Sequence, residues 1–391
     1  MFLSKRFSNY ELSGEVNRLA KLYKEYVSTH KELFDLTISN PTHANIIYPA
    51  EEILSTFNNN KCLSYDPIPK GLYSARKAIS DYYFSQGFSV SPDDIFLTSG
   101  TSESYSYLIK LLCNPRDEIL IPAPSYPLLD FIATLESVEV IPYYLVETGN
   151  RWHFSIEQII NQIGKRTKVL LFIQPNNPTG NILSTGEIEA LISVAENYNL
   201  AIIIDEVFRD YLFSNKTPQL LNSPKIPIFT LNGISKTLAL PQMKLGWIIC
   251  SCPDAIKREM YEALEIIADT YLSVNTPVQI ALPDLFNYKD IIQQEVQTRI
   301  LHNLEFAKNK ISDSSVLTPY IPEGGWYLVL KINDNSLDEE EVVCNLLMKT
   351  GVYVHPGSMF RFPEGNHLIL SLLAEEKIFQ EGFNKIVQFF N

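Results

Sequence analysis

The sequence predicts an α/β fold in which helices cover both faces of a largely parallel β-sheet. From about residue 94 to residue 268, short apolar segments alternate with helix-like segments such as SIEQIINQI and TGEIEALISVAENYN. This alternation of strand-like and helix-like segments is typical of parallel sheets. Segments such as LLFI and AIII are apolar without interruption, as expected for strands buried on both faces. Ligands of such sheets bind at the carboxyl ends of the strands.

Seven segments in this region are predicted as strands: DDIFLT, DEILIP, VEVIPYY, KVLLFI, LAIIID, IPIFTL and KLGWIIC. The last hundred or so residues differ, because GGWYLVLKI, VYVHP and HLILSLL read as strands beside two helices. One of these helices opens with SLDEEEVVCNLL, where Ser336 and Glu339 have the spacing of a capping box. We expect a smaller α/β unit here, with the helix-like segment VNRLAKLYKEYV packed against it. A chain of 391 residues is long enough for two domains.

Composition excludes several classes of function. A net charge of -13 argues against nucleic-acid binding through the general field of the protein. No stretch approaches the ~18 apolar residues of a membrane span, and charged residues interrupt the first segment before any run of signal-peptide length. We therefore expect a cytoplasmic protein without membrane partners.

The cysteines and histidines give no support for a disulfide framework or a metal site. The five cysteines are odd in number and contain no CxxC pair, and the six histidines contain no HxxxH pair. We expect reduced cysteines, which pack in the interior, and no bound metal ion.

Four segments with polar residues follow predicted strands. TSGTSES (98–104) could form an anion cup at a helix N-terminus, or a simple helix cap. QPNNPTG (174–180) would fix the directions of Asn176 and Asn177, or form a plain turn. Asp205 follows four apolar residues, so an inward carboxylate would need a cationic or hydrogen-bonding partner, unless it lies at the surface. Lys236, in ISKTLALPQMKLGW, is a candidate nucleophile, although most lysines are solvated.

A phosphate cup, a fixed asparagine, a buried carboxylate and a lysine at successive strand ends are the parts that hold a phosphorylated pyridine aldehyde. In their order and spacing the motifs resemble those of fold-type I pyridoxal phosphate enzymes of the class I/II aminotransferase family. The landmarks are SNP (39–41), Y…KGL (65–72), SGTSE (99–103), PSYP (124–127), NNPTG (176–180), DEVF (205–208), SKT (235–237), PEGGWY (322–327) and VHPGSMF (354–360).

The resemblance implies a large domain of residues 46–285 with a mostly parallel seven-stranded sheet. Residues 1–45 and 286–391 would form the smaller α/β domain. It also implies an aminotransferase that moves an amino group from an amine or amino acid to a 2-oxo acid, in two half-reactions with ping-pong kinetics. The implied cofactor is pyridoxal 5'-phosphate, and the implied assembly is a homodimer.

Site roles follow from the same resemblance. Lys236 would form the Schiff base with the cofactor, and burial would lower the pKa of its amine. Asp205 would keep the pyridine nitrogen protonated. Asn177 would hydrogen-bond the phenolic oxygen of the ring, and Tyr126 would stack on the ring face. The residues implied to hold the phosphate are Ser99, Gly100, Thr101, Ser235 and Lys244, together with Tyr65 from the neighbouring subunit.

The chain departs from the family pattern at three positions. Lys244 replaces an arginine at the phosphate, and Phe208 replaces a tyrosine that donates to the phenolic oxygen, so the pKa of the Schiff base should rise. Ile369 replaces the arginine that binds the substrate's α-carboxylate. Arg361, eight residues earlier, could supply a displaced cation or be a solvated loop residue. Asn40, in the SNP motif, and Arg361 are the predicted substrate contacts.

Two other functions remain open from the sequence. The first is a different pyridoxal phosphate reaction, such as decarboxylation, β-elimination or amine oxidation, because cofactor contacts are shared and only the substrate side differs. The second is a cofactor-binding regulator or an inactive relative. The presence of Lys236 and Asp205, and the lack of a basic DNA-binding segment, argue against the second.

Overall fold

The computed structural model describes residues 4–7, 17–29, 32–149, 151–213, 218–272, 274–311, 315–334 and 336–390. Its α-helices, numbered in chain order from α1 to α13, are Arg18–Thr29, Ala50–Ser55, Tyr73–Ser85, Thr101–Leu112, Leu128–Leu135, Ile156–Gln162, Thr185–Tyr198, Ile234–Thr237, Asp254–Tyr271, Thr276–Leu285, Lys289–Ile311, Glu339–Thr350 and Glu376–Phe390.

The β-strands, numbered from β1 to β15, are Phe34–Asp35, Ile95–Thr98, Glu118–Ala123, Glu139–Tyr144, Val146–Thr148, Arg151–His153, Thr167–Ile173, Ala201–Asp205, Ile228–Gly233, Gly246–Ser251, Leu317–Tyr320, Tyr327–Ile332, Val352–Tyr353, His355–Pro356 and Asn366–Ser371. All seven segments predicted for the large sheet form strands.

The central sheet has seven strands in the order β2-β10-β9-β8-β7-β3-β4. Strand β10 runs antiparallel to β2 and β9, and the other neighbours pair in parallel. The predicted fold class, a mostly parallel seven-stranded sheet, is therefore confirmed. Successive residues along a strand belong to different apolar clusters on the two faces of the sheet. Leu170 and the neighbouring Ile202 are in one cluster, and Leu171 and Ile203 are in the other. Both faces are thus buried, which explains the uninterrupted apolar segments.

The register brings the polar strand ends to one edge of this sheet. Ile173 pairs with Asp205 across β7 and β8. Gly246, at the start of β10, pairs with both Gly233 and Thr98. The four motifs that follow β2, β7, β8 and β9 therefore meet at a common edge, as the topology of such sheets requires.

A second, antiparallel sheet has the strand order β11-β12-β15-β14. The first strand of the chain joins the C-terminal region, because β1 pairs in parallel with β13 and Ser371 N donates to Leu36 O over 2.7 Å. The seven-stranded sheet falls within residues 95–251 and the four-stranded sheet within 317–371. The domain boundaries at residues 46 and 285 stay a prediction.

The capping box predicted at Ser336 and Glu339 is wrong. Helix α12 begins at Glu339, and its cap is Asp338, whose side chain accepts a hydrogen bond from Glu341 N over 2.8 Å. Ser336 Oγ instead donates to Asp334 over 2.6 Å. The sequence DEEE offers a capping carboxylate two residues later, and carboxylates near a helix N-terminus also interact favourably with the helix dipole. Within the described ranges, no helix combines the length and apolar composition needed to cross a membrane.

Candidate active site

A cavity of about 320 Å³ opens where the strand ends meet. We call it the central cavity. The residues that line it come from seven separate parts of the chain: Ser39, Thr101, Ser102, Tyr105, Tyr126, Leu128, Leu129, Ile132, Ile173, Asn177, Asp205, Val207, Phe208, Ser235, Lys236 and Tyr327. Seven of the predicted site residues are in this set.

Lys236 projects into the central cavity from α8, a single turn that follows β9 directly. Its Nζ lies 3.5 Å from Ser39 O, 4.4 Å from the ring centroid of Trp326 and 5.5 Å from that of Phe208. Burial lowers the pKa of Lys236 to about 8, although the nearby Asp205 carboxylate opposes this shift. At neutral pH a much larger fraction of this amine is therefore unprotonated than for an ordinary lysine.

Asp205 ends β8 and is 93% buried, with only 7% of its surface exposed. Tyr105 OH donates to its Oδ2 over 2.6 Å, and Val207 N donates to its Oδ1 over 3.0 Å. Burial raises the pKa of Asp205 to about 6, against the effect of these hydrogen bonds. The expected hydrogen-bonding partner of an inward carboxylate is thus Tyr105, which the sequence analysis did not single out.

Asn177 lies at the end of β7, in a turn that a neighbouring asparagine holds in place. Asn176 Nδ2 donates to Pro124 O over 3.1 Å and to Thr179 Oγ1 over 2.7 Å. Asn177 Oδ1 is itself buried, and no group in the described part of the chain hydrogen-bonds to it. A buried amide oxygen without a partner is costly, so this atom is available for a ligand in the cavity.

The N-terminus of α4 and a lysine lie together beside the central cavity. Gly100 caps the helix with φ +148°, a conformation that favours glycine, and the Lys244 Nζ lies 3.6 Å from the point where a Cβ on Gly100 would be. Ser99, Gly100 and Lys244 line a neighbouring cleft rather than the central cavity, and Ser102 lines both. Free N–H groups at a helix N-terminus bind anions.

Gly246 allows the N-terminal turn of α4 to lie directly against the sheet. A Cβ at this position would be 2.9 Å from both Gly100 C and Gly100 Cα, and 3.1 Å from Thr101 N. These are backbone atoms, which cannot rotate away as a flexible side chain could. The position of the N-terminus of α4 therefore depends on a residue without a side chain in β10.

Tyr126 and Phe208 are the aromatic residues predicted to face the cofactor, and both line the central cavity. Tyr126 is 45% exposed, so it lies at the mouth, whereas Phe208 is buried at 3% and packs against Trp326 and Tyr327. A phenylalanine at 208 has no hydroxyl to donate. Tyr327 and Ser39 also line the cavity, and only their landmark motifs, PEGGWY and SNP, could have pointed to them.

Besides Ser99, Gly100 and Lys244, three more predicted site residues do not line the central cavity. Tyr65 is 71% exposed in a surface cleft beside Ile68 and Leu272. Asn40 is exposed, and its side-chain oxygen accepts hydrogen bonds from Thr42 N and Thr42 Oγ1 over 3.1 Å and 2.8 Å. Arg361 forms an ion pair with a residue of helix α5.

Arg361 Nη2 donates to Asp130 Oδ1 over 2.7 Å. Burial raises the pKa of Asp130, and the charge of Arg361 opposes the rise. Asp130 lies in α5, which begins two residues after Tyr126. The pair therefore joins the loop before β15 to the helix at the cavity mouth.

Ile369, the position that departs from the family pattern, is fully buried in β15. It pairs with Val329 on one side and His355 on the other. Of the residues that line the central cavity, Lys236 is the one Lys or Arg. Among the described residues that line the cavity, no arginine is therefore present to bind a carboxylate.

Comparison with known proteins places this arrangement in a family. Residues 31–376 match the family model described as aminotransferase class I and II. The chain belongs to the class I and II aminotransferases. The glutamate-pyruvate aminotransferase AlaA of Escherichia coli is 28% identical over 388 residues, which span 97% of this chain and 95% of AlaA. A tyrosine aminotransferase of Dictyostelium discoideum is 26% identical over 410 residues, 99% of this chain and 97% of the relative.

Solved aminotransferase structures share the whole fold. One from Escherichia coli superposes with a TM-score of 0.87 at 27% identity, covering 100% of this chain and 98% of the other. The alanine aminotransferase of Pyrococcus furiosus gives a TM-score of 0.89 at 23% identity, covering 99% of each chain, which shows the fold alone. Class I and II aminotransferases depend on pyridoxal phosphate, so the chain is a pyridoxal phosphate-dependent aminotransferase, a transferase of amino groups.

The residues of the cavity fit this cofactor. A pyridine ring needs an acid partner for its nitrogen and a donor for its phenolic oxygen, its aldehyde needs an unprotonated amine, and its phosphate needs cationic and N–H groups. The structure brings together a buried carboxylate, the side-chain amide of Asn177, whose nitrogen is a donor, a lysine of lowered pKa and a helix N-terminus beside Lys244.

Proposed function

We propose that Lys236 would bond to the cofactor through its aldehyde and would move the substrate proton during amino transfer. The observation that supports this proposal is the enclosed Nζ of Lys236, which has a pKa lowered to about 8 in the same cavity as Asp205. When bound, the cofactor stabilises the negative charge that develops at the substrate carbon. Once the substrate amine has displaced it, the free amine of Lys236 would take the proton from that carbon as general base and would deliver it as general acid to the cofactor carbon.

Asp205, Asn177 and Tyr126 would hold the ring. Asp205 would keep the ring nitrogen protonated, and Tyr105 would hold the carboxylate in place through its 2.6 Å hydrogen bond. Asn177 would donate from its amide nitrogen to the phenolic oxygen, and Tyr126 would cover the ring at the cavity mouth. Phe208 would contact the ring without donating, which leaves the phenolic oxygen with one donor fewer than a tyrosine would give.

Five residues would hold the phosphate. Gly100 and Thr101 would donate backbone N–H groups from the start of α4, and Ser99 and Ser235 would donate hydroxyl groups. Lys244 would add a point charge rather than the two-pronged hydrogen bonding of an arginine. The 3.6 Å distance between Lys244 Nζ and the Cβ position of Gly100 supports this placement.

We propose that this aminotransferase recognises the substrate carboxylate in an unusual way. Relatives are named for glutamate, pyruvate, alanine and tyrosine, which suggests amino acids and 2-oxo acids as substrates. Ile369, however, places an apolar side chain where the family has an arginine. Two possibilities follow: Arg361 exchanges Asp130 for the substrate carboxylate, with Asn40 as a second substrate contact, or the donor lacks an α-carboxylate and is bound by its distal part.

Paired substitutions separate these possibilities. If Arg361 binds the carboxylate, Arg361→Ala should reduce kcat/KM for amino acids by the equivalent of about 2–5 kcal/mol. Asp130→Asn should lower KM, because it frees the guanidinium. Arg258→Ala, which removes an arginine that is ion-paired to Glu262 on an exposed helix face, is the control. If neither substitution changes KM or kcat/KM for carboxylate substrates, the assignment of Arg361 is wrong.

We further propose a homodimer in which Tyr65 reaches the phosphate of the other subunit. Tyr65, Ile68 and Leu272 are exposed apolar side chains around one cleft, and such patches mark association surfaces. Sedimentation should show a dimer. Tyr65→Phe should weaken cofactor binding without dissociating the dimer. A protein that is monomeric at all concentrations and transfers amino groups at full rate would contradict this proposal. The cytoplasmic location stays a prediction from the sequence.

The overall function is tested with a panel of amines and amino acids paired with 2-oxo acids. Aminotransfer predicts equal amounts of donor-derived carbonyl product and new amino acid, with parallel lines in double-reciprocal plots. Release of carbon dioxide or ammonia in place of the new amino acid would indicate decarboxylation or elimination instead. We expect aspartate and alanine to be poor donors if Ile369 marks the missing carboxylate contact.

A further inference from the structure

A fully buried ion pair lies directly after Asp205 in the chain. Arg209 Nη1 donates to Glu206 Oε2 over 2.6 Å, and both side chains are almost completely buried. The guanidinium carbon also lies 4.6 Å from the ring centroid of Phe88 and 5.4 Å from that of Tyr83. Apolar residues of similar volume often stabilise a fold as well as a buried ion pair does. Stability alone therefore does not explain why two charges are buried here.

Glu206 connects the strand that ends in Asp205 with the turn that contains Asn177. Its Oε1 accepts a hydrogen bond from Gln174 Nε2 over 3.1 Å. The backbone N–H of Gln174 donates to Asp205 O over 2.9 Å, and that of Glu206 donates to Leu231 O in β9 over 2.9 Å. The carboxylate of Glu206 thus contacts the residue that follows β7, and its backbone N–H bonds to β9, at the edge where three of the proposed cofactor contacts begin.

Arg209 and Asp210 extend these contacts to α3 and to α8. Arg209 Nε donates to Gln86 Oε1 over 2.8 Å. Gln86 Nε2 and Tyr82 OH donate in turn to Asp210, over 3.2 Å and 3.0 Å. Burial raises the pKa of Asp210, and hydrogen bonds from Tyr82 and Thr237 oppose the rise. Thr237 is the residue that follows Lys236, so the contacts end beside the proposed catalytic lysine.

We infer that Arg209 is a positioning residue for amino transfer, which acts through Glu206 on Asp205 and through Gln86, Asp210 and Thr237 on Lys236. This inference rests on the roles proposed above for Asp205 and Lys236. Arg209 itself does not line the central cavity, so its effect is indirect. Its guanidinium balances the charge of Glu206 and holds the loop between residues 205 and 210 in one conformation.

The pKa values of Asp205 and Glu206 depend on the charged and hydrogen-bonding groups that face each carboxylate. Asp205 faces Tyr105 from α4, Lys236 from α8 and the adjacent Glu206, whose charge is one cause of the raised pKa of Asp205. Removing the charge of Glu206 should therefore lower the pKa of Asp205.

Glu206 faces Arg209, Gln174 and Asp210, and it interacts electrostatically with Tyr83. Burial raises the pKa of Glu206, and Arg209 is the main opposing group. Without Arg209, Glu206 would keep hydrogen-bonding partners but no cation. It should then take up a proton at higher pH and add a new ionisation to the pH profile.

The test compares Arg209→Met, Glu206→Gln and the double variant as purified holoenzymes. For each we would measure the pH profiles of kcat/KM and of the absorbance of the bound cofactor. Arg209→Met should lose about tenfold or more in kcat/KM, since small misplacements of catalytic groups are costly, and should show the new ionisation. The double variant should lack that ionisation, and Glu206→Gln should shift the acid limb to lower pH.

Arg76→Met is the matched control for the loss of a buried arginine. Arg76 is 8% exposed, and its guanidinium donates to the backbone oxygens of Gly71 and Pro92. This variant should lose thermal stability and keep the wild-type pH profiles. Wild-type pH profiles in both Arg209→Met and Glu206→Gln, with only a lower melting temperature, would overturn the inference.

If Arg209→Met does not fold, the pH profile of Glu206→Gln tests the role of Arg209. A shifted acid limb in that profile supports the inference, and an unchanged acid limb overturns it. If wild-type protein fails to transfer amino groups, or bonds the cofactor at a lysine other than Lys236, the proposed function is wrong, and that result is distinct from a failure of Arg209.

Discussion

Gly246→Ala should weaken cofactor binding even though residue 246 would not touch the cofactor. The added Cβ would be 2.9 Å from two backbone atoms of Gly100, whereas carbon atoms pack at about 3.5–4.0 Å. Relief of this overlap requires the first turn of α4 to move away from the sheet by about 0.5 Å or more. Overpacking of this kind typically costs about 1–3 kcal/mol.

The displaced turn includes the N–H groups that we propose bind the phosphate. If about 1.4 kcal/mol of the cost falls on cofactor binding, the dissociation constant rises about tenfold. Equilibrium dialysis of cofactor-free protein against pyridoxal phosphate would measure this constant, and denaturant unfolding would measure stability. Both quantities are needed, because a stable variant with weak binding identifies the helix N-terminus as the site of the effect.

Gly186→Ala is the matched control, because the same substitution in the first turn of α7 meets no atom within 4 Å. It should leave cofactor binding unchanged, and it should add up to about 1 kcal/mol of stability through helix propensity. If Gly246→Ala binds pyridoxal phosphate as tightly as Gly186→Ala does, the phosphate does not lie at the N-terminus of α4, and the proposed contacts of Ser99, Gly100 and Thr101 are wrong.

Three other predictions concern the groups around the proposed ring site. Asp205→Asn should reduce kcat by about 10²–10⁴ without loss of fold, because a neutral partner cannot keep the ring nitrogen protonated; normal turnover would make Asp205 a bystander. In cofactor-free protein, the rate at which pyridoxal phosphate bonds to the protein should rise with pH and level off above about 8, because burial lowers the pKa of Lys236 to about 8; a rate that rises through pH 10 would indicate an ordinary lysine. Phe208→Tyr should lower the pH midpoint of the absorbance change of the bound cofactor, because a new donor favours the ionised phenolic oxygen, and an unchanged or higher midpoint would place that oxygen away from residue 208.

Local patterns in the sequence were sufficient to predict the central sheet. Uninterrupted apolar segments and the helices between them identified all seven strands, because burial on both faces leaves a strong local signature. The strand ends then predicted that Lys236 and Asp205 share a cavity, which the structure bears out. The cap of α12 was misplaced by two residues, since DEEE offers several carboxylates and only the backbone geometry selects Asp338.

Contacts between distant parts of the chain had no sequence signal. Tyr105 and Asp205 are 100 residues apart, and Arg361 and Asp130 are 231 residues apart. The segment DEVFRDY contains no pattern that marks Arg209 as buried. Pairings of this kind depend on how helices pack on the sheet, which periodicity and residue type do not specify.

Chemical reduction can show directly whether Lys236 is the lysine that bonds the cofactor. Wild-type holoenzyme is reduced with borohydride, which makes the bond between the lysine and the cofactor permanent, and is then digested and mapped by mass spectrometry. We expect a cofactor-derived mass on the peptide that contains Lys236, with none on Lys244 and none in a Lys236→Ala control. Labelling of Lys244 or of any other lysine, with Lys236 unmodified, would show that Lys236 does not bond the cofactor.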